Sequence, residues 1–339
     1  MKQKEIEVFA DPTYDATFKM LFGKQTNIEL TKSFLNTMLN FTGTPNEIND
    51  LKIINSDLIQ EDVKAIESAI DVRCKTVSGQ DISIEMQRRG EDYFLARTQD
   101  YMAKILSSQV TKSDGGKSYN LSMDKTYMLV ISKAKLFIKD NAVVGDTPIM
   151  YEKTIVPMIK ELGVEVPSNK MNWKFFEIPK FKNYIKNKEV HADSNLKEQW
   201  LDFLLNCSKS EETPENRNEI IKRGYEIMKI ANWTNEERNN YELSKLKEAY
   251  NKLEKEQVFE EGKLKGEIKG EIKQIKMGTK YKISDDSLEK DLTHTKSLFK
   301  KIKEYLEDGH FDDTESQIYE HYEKDLLGKR DDFSDTSDG

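Results

Sequence analysis

Cysteine is nearly absent: Cys74 and Cys207 are the only two in 339 residues. They lie far apart and in no metal-ligand spacing, which excludes a disulfide framework, points to a reducing compartment, and makes both thiols packing residues. Histidine is almost as scarce. His191, His294, His310 and His321 show no ligand spacing, so none is assigned a catalytic role. No apolar run approaches the roughly 18 residues that cross a bilayer, and the first thirty residues hold no basic-then-apolar signal pattern. The expectation is a cytoplasmic chain with no membrane partner. A Gly-rich phosphate loop and a nucleophile elbow are missing too, which removes the signatures of P-loop nucleotide and serine-hydrolase chemistry.

What the chain has in quantity is charge. Charged residues make up 34% and apolar residues 37% of the sequence, so much of it should be exposed helix surface, with one compact domain and extended helical additions. The net charge of −8 weighs against a nucleic-acid partner, because Lys and Arg hold backbone phosphates. Its distribution weighs the other way. Seventeen of the 61 acidic residues but only ten of the 53 basic ones follow Met277, which leaves the body nearly neutral and able to present a local basic groove.

Apolar spacing sets out the elements. Phe18, Leu21 and Phe22, then Leu30, Phe34, Leu35, Met38 and Leu39, repeat at helical intervals and predict two short helices flanking Gly23. Ile70, Val72 and Cys74 alternate, as do Ile82, Ile84 and Met86, with a polar stretch around Ser78 and Gly79 between them, which predicts a β-hairpin. Phe94, Tyr101, Met102, Ile105 and Leu106 return to helical spacing, Met123 to Ile138 reads as an apolar strand region, and a last strand falls around Trp173 to Ile178. From Asn195 onward the pattern is helical, and Thr234 with Glu237 makes a capping box opening a helix that can reach Met277.

This order predicts an α/β (α+β) fold: a core with a small mixed central sheet flanked by helices, followed by an all-helical C-terminal region. The expected division is 1–190 for the core, 191–278 for a helical region with a long charged helix, and 279–339 for an acidic, partly disordered region. Within the long helix, Gly262, Gly266 and Gly270 share one face. They would let another helix approach closely, although a fraying charged helix fits the same pattern.

The informative segment runs from Ala69 to Gln87. A hairpin turning about Gly79, which accepts the positive φ of a three-residue turn, sets Asp71 opposite Gln87 and Arg73 opposite Glu85. All four then share a face, with Asp71 and Glu85 diagonal neighbours, while Val72, Cys74, Ile82, Ile84 and Met86 point to the core. Two carboxylates on one face within about 7 to 8 Å repel. A divalent cation resolves the conflict: Mg²⁺, or Mn²⁺ in its place, takes one or two carboxylates together with water and substrate phosphate, and can activate water and neutralise transition-state charge.

Asp71 and, fourteen residues on, Glu85-Met-Gln87 resemble the PD-(D/E)XK nuclease motif in the variant whose final Lys is replaced by Gln. More narrowly, the chain resembles the recombination-promoting nuclease (Rpn) and transposase family. The resemblance rests on Asp15-Ala-Thr-Phe-Lys-Met-Leu-Phe-Gly23, Phe34-Leu-Asn36, Ile84-Glu-Met-Gln87, Phe94-Leu-Ala-Arg97 with Tyr101, and Glu236-Glu-Arg-Asn-Asn-Tyr-Glu242, and it spans roughly residues 10 to 277. It implies a restriction-endonuclease-like core and a Mg²⁺-dependent DNA endonuclease linked to recombination or mobile elements. Asp71 and Glu85 then become metal ligands, and Gln87 stands where a Lys would position the attacking water.

Simpler readings stay beside these. Asp71 and Glu85 also fit solvent-facing charge on a half-exposed hairpin. Arg73 and Lys75 suit phosphate binding or neutralisation of neighbours. Asp15 and Lys19 suit a supporting part in the site or an i to i+4 ion pair. Arg97 and Tyr101 share one helix face, where they suit substrate binding or packing. For the whole chain the alternative to an enzyme is a nuclease-fold scaffold that binds DNA or protein without cutting. In either case the C-terminal helices are the expected route to self-association.

Overall fold

The computed structural model describes residues 8–54, 70–91, 93–109, 123–137, 150–186, 190–191 and 193–327. The expected disorder of the extreme C-terminus lies outside them. Contacts divide the chain into two compact units, 1–246 and 247–339.

The first unit is built on a six-stranded mixed sheet. Its strands are β1 (Leu51–Ile54), β2 (Val72–Thr76), β3 (Asp81–Gln87), β4 (Thr126–Ser132), β5 (Glu152–Ile155) and β8 (Met171–Glu177), in the order β1-β2-β3-β4-β8-β5. A two-residue ribbon, β6 (Met158–Ile159) with β7 (Val164–Glu165), stands apart from it. The β3-β4 and β4-β8 pairs are parallel, and the remaining pairs antiparallel. Parallel neighbours covered on both faces lose the two-residue alternation. Every position of β3 and β4 is accordingly buried, which is why Tyr127 to Ile131 reads as an unbroken apolar run.

Helices cover both faces. Against one pack α1 (Asp15–Phe22), α2 (Ile28–Met38), α5 (Leu196–Asn206) and α6 (Glu219–Met228); against the other packs α3 (Phe94–Ser108), while α4 (Ile178–Tyr184) follows β8 directly. Val72, Cys74, Ile82, Ile84, Met86, Leu129 and Phe176 share the first core with Phe22, Phe34, Trp200 and Tyr225. Phe22 stacks on Phe34 at 4.3 Å and Trp200 meets Phe34 edge-on at 5.3 Å. Each such buried aromatic contributes about 1.5–3 kcal/mol over leaving it exposed. Helices α5 and α6 therefore belong to the sheet's own core. Ile70, Met128, Val130 and Phe175 form the second core with Phe94, Tyr101, Met102, Ile105 and Leu106 of α3.

The hairpin corrects one expectation. Its register pairs Val72 with Ile84, Arg73 with Ser83, Cys74 with Ile82 and Lys75 with Asp81, so Arg73 faces Ser83 instead of Glu85. The loop is Val77-Ser78-Gly79, closed by Thr76 N–H to Gln80 O at 2.9 Å and Gly79 N–H to Thr76 O at 3.0 Å. Gly79 occupies the last loop position, at φ 92°, so the hairpin is centred on Ser78. The shift is two residues. It leaves every side chain on its expected face and brings Asp71 level with Glu85.

Helix α7 (Asn235–Tyr281) opens on the expected capping box, with Glu237 N–H to Thr234 Oγ1 at 3.2 Å and Thr234 N–H to Glu237 Oε2 at 3.0 Å. In the second unit α8 (Asp285–Glu289), α9 (Phe299–Tyr305) and α10 (Glu315–Leu326) follow. Ile268, Ile272 and Ile275 of α7 form a cluster there with Leu292, Phe299, Ile302, Leu306, Ile318 and Tyr319. A Cβ placed on Gly262, Gly266 or Gly270 would meet nothing within 4 Å; among the described residues no helix approaches that face. None of the described helices is long and apolar enough to cross a membrane.

Candidate active site

Along the α3-facing side of β3 the chain places Asp81, Ser83, Glu85 and Gln87, each less than 9% exposed. A buried polar group costs free energy unless it is partnered, so the partners decide what this row can do. Asp81 takes the Arg73 guanidinium through two bonds, Nε to Oδ1 at 2.9 Å and Nη2 to Oδ2 at 2.6 Å. Arg73 is thereby directed to Asp81, away from the other carboxylates, and Lys75 pairs with Asp124 at 3.2 Å. Ser83 Oγ and Glu85 Oε1 are buried and make no hydrogen bond among the described residues.

Asp71 and Glu85 are neighbours, each oriented by a backbone N–H of the other's strand. Met86 N–H donates to Asp71 Oδ2 at 2.6 Å, and the Asp71 N–H donates to the Glu85 carboxylate. Burial drives both acids toward the neutral form. For Asp71 it outweighs the Met86 hydrogen bond and acts with the neighbouring Asp15 carboxyl to push the pKa up to about 7, against the pull of Lys19. For Glu85 burial and then the Asp71 charge hold the carboxyl well above its ordinary value, with Arg97 and Lys19 opposing. Lys19, 2.8 Å from Asp15 on α1, keeps its proton more firmly than usual: burial works against the charge, but Asp15, then Asp71 and Glu85, outweigh it. The i to i+4 ion pair on α1 is therefore present, with Lys19 near the two acids.

Gln87 is engaged at both ends of its amide. Its Nε2 donates to Arg89 O at 2.6 Å, and its Oε1 accepts from Arg97 Nη2 at 3.0 Å. The Arg97 guanidinium also reaches Glu91 at 3.1 Å. Arg97 therefore fixes the amide from α3. Tyr101 is 3% exposed and packs in the α3 core.

These groups fit a hard divalent cation. Two adjacent carboxyls that resist losing both protons, one oxygen of which makes no hydrogen bond among the described residues, are a pair that an added cation would let ionise together. Asp71 and Glu85 would hold it. Among the described residues no three His, Cys, Asp or Glu side chains cluster with ligand geometry, so these two carboxylates would be the side-chain share, the remainder falling to water and phosphate oxygens as Mg²⁺ prefers.

The sequence profile of the PD-(D/E)XK nuclease family transposases matches residues 12–257. The chain belongs to that family. The mixed sheet with flanking helices and the helical C-terminal region agree with a PD-(D/E)XK α/β fold. No curated protein and no solved structure matches.

One cluster in this PD-(D/E)XK chain escaped sequence reasoning. Arg88 and Lys133, the residues directly after β3 and β4, both reach Asp11 Oδ2 at 3.1 Å. Arg88 also meets Thr13 Oγ1 and lies over the Tyr14 ring at 3.6 Å. Burial works to raise the Asp11 pKa, but Lys133, Arg88 and the Thr13 hydrogen bonds hold it below its ordinary value. Cations at the carboxyl ends of adjacent parallel strands sit where open α/β sheets bind ligands, and their position after two strands is the signal that could have found them.

Proposed function

We propose that this chain is a metal-dependent DNA endonuclease of the recombination-promoting nuclease and transposase type, working in the cytoplasm on phosphodiester bonds. The observation that carries the reading is the meeting of half-buried Asp71 with buried Glu85, both resisting ionisation, with Glu85 Oε1 making no hydrogen bond among the described residues. Mg²⁺ or Mn²⁺ between them would supply an activated water and neutralise charge developing on the phosphate. Asp71, oriented by the Met86 amide, and Glu85, oriented by the Asp71 amide, hold the site's shape. Lys19 moderates their combined negative charge. Gln87, clamped by Arg97, offers a fixed dipole where a Lys would offer a cation, which weakens the electrostatic contribution. Arg88 and Lys133 are the candidates for contact with the DNA backbone.

Incubation of purified protein with plasmid DNA and Mg²⁺ or Mn²⁺ tests this. Nicked or linear products are expected, lost in Asp71→Ala and in Glu85→Ala; cleavage persisting in either variant defeats the assignment. The engagement of Gln87 at both amide ends favours one other reading, a nuclease-fold scaffold that binds DNA or protein without cutting. That reading expects binding with no metal-stimulated strand breaks.

A further inference from the structure

Along α7, Leu243, Leu246, Tyr250 and Leu253 are each more than 60% exposed, although the same helix buries apolar groups before and after them. Tyr241 is 2% exposed, and Ile268, Ile272 and Ile275 are each at or below 1%. The four exposed residues follow one another at intervals of three, four and three. These are the a and d positions of a heptad, a seam that one helix presents to another. Val258 and Phe259, also exposed, fall off this stripe. Helical spacing makes the stripe continuous, and nothing in its composition other than Ala249 is apolar outside the four positions.

We propose that α7 pairs in parallel with α7 of a second copy of this chain along Leu243, Leu246, Tyr250 and Leu253. Charge on the flanks selects both the occupant and the direction. Glu242 precedes the first seam residue and Lys247 follows the second, the g and e positions whose side chains cross the seam of a coiled coil. In a parallel pair each Glu242 meets the second copy's Lys247, twice by symmetry. An antiparallel pair would instead set Lys247 against Lys247 and Glu242 against Glu256, both repulsive. Glu242 lies 3.2 Å from Lys245 on its own helix and keeps 58% of its side chain exposed, so it can turn to a partner. The mixed charge on either flank does not suit a lipid surface, which selects for basic flanks.

Two heptads would be too short to fold and pair from a disordered chain. Here the helix is already formed. Its first turns are fixed by the capping box and by Tyr241, which meets Trp233 and Tyr14 edge-on at 5.5 Å each and accepts a hydrogen bond from the Asp11 N–H at 3.0 Å. Pairing therefore avoids most of the ordering cost that usually opposes it. The inference does not depend on whether the Asp71–Glu85 pair is catalytic.

Light scattering on the full-length protein, at chain concentrations up to roughly 100 µM where even a weak specific pair assembles, should show the mass rise to twice 39.4 kDa. The exposed positions tolerate change, so Leu246→Lys with Leu253→Lys should keep its circular dichroism and stay at the single-chain mass. Lys247→Glu alone should weaken pairing about tenfold, and Glu242→Lys with Lys247→Glu should restore it. Leu246→Cys should give a disulfide-linked dimer on mild oxidation, since a parallel seam sets position 246 against itself and the native Cys74 and Cys207 are buried. A wild-type mass that stays at the single-chain value throughout, or dimers that survive the double Lys substitution, overturns the proposal. Failure of the charge swap to restore pairing overturns its parallel direction.

Discussion

Asp71→Asn should make the protein more stable while removing its chemistry, by an amount that grows with pH. Burial, with the Asp15 carboxyl beside it, lifts the Asp71 pKa from 3.8 to about 7 in the folded chain. Between those values the folded state keeps a proton that the unfolded state has released, so native stability falls as pH rises and levels off above about 7. Each pKa unit is about 1.4 kcal/mol. The two units between pH 5 and the folded-state value therefore amount to roughly 2 to 3 kcal/mol. Asn has no proton to lose, so its advantage over wild type should widen by that amount from pH 5 to pH 8 in the presence of a chelator. At about 2–4 °C per kcal/mol for a domain of this size, the Tm difference should grow by roughly 4 to 12 °C. Calorimetry on both proteins at each pH reads the effect together with the easier ionisation of Glu85 that loss of the Asp71 charge allows, which acts in the same direction. Added Mg²⁺ should close the gap by stabilising wild type, since only the folded state binds it. A difference independent of pH, or a variant less stable than wild type at pH 8, would refute the reasoning.

Other substitutions probe the neighbours. Arg73→Ala strands the Asp81 carboxylate, 2% exposed, and should cost roughly 3 to 5 kcal/mol in urea unfolding; a loss under about 1 kcal/mol would mean that the pair is not buried in solution. Gly79→Ala meets both a φ of 92° and the Asp124 carboxylate 2.8 Å from the added Cβ, so a loss of about 1–2 kcal/mol is expected in the same assay. Arg97→Ala removes the donor to Gln87 Oε1, and plasmid cleavage should fall about 10- to 100-fold with secondary structure retained; unchanged rates would remove Arg97 from the positioning of the site.

Much of the framework was legible because periodicity reports burial directly. Helices α1, α2 and α3 and strands β3 and β4 carry clear apolar periodicity or runs, and the capping box of Thr234 and Glu237 marks the start of α7 by itself. β1 and β5 went unseen because they are four-residue edge strands with little to bury; in β5 only Glu152 and Lys153 are even half-buried. The face of each hairpin residue was legible from alternation, but the register was not, since Gly79 could stand at the centre of the loop or, as it does, at its end. The membership of α5 and α6 in the sheet's core depends on contacts more than a hundred residues apart, such as Phe34 with Trp200, which no local pattern encodes. At the site, Asp71, Glu85 and Gln87 were legible through the motif. Arg88 and Lys133 were not, because their shared partner is Asp11, 77 and 122 residues away in sequence.

The account rests on a cation shared by Asp71 and Glu85, and anomalous diffraction from crystals soaked in Mn²⁺ tests it most directly. The expected result is one strong peak within bonding distance of an oxygen from each of the two carboxylates. An anomalous map with its peaks elsewhere, or none at this pair, would contradict it.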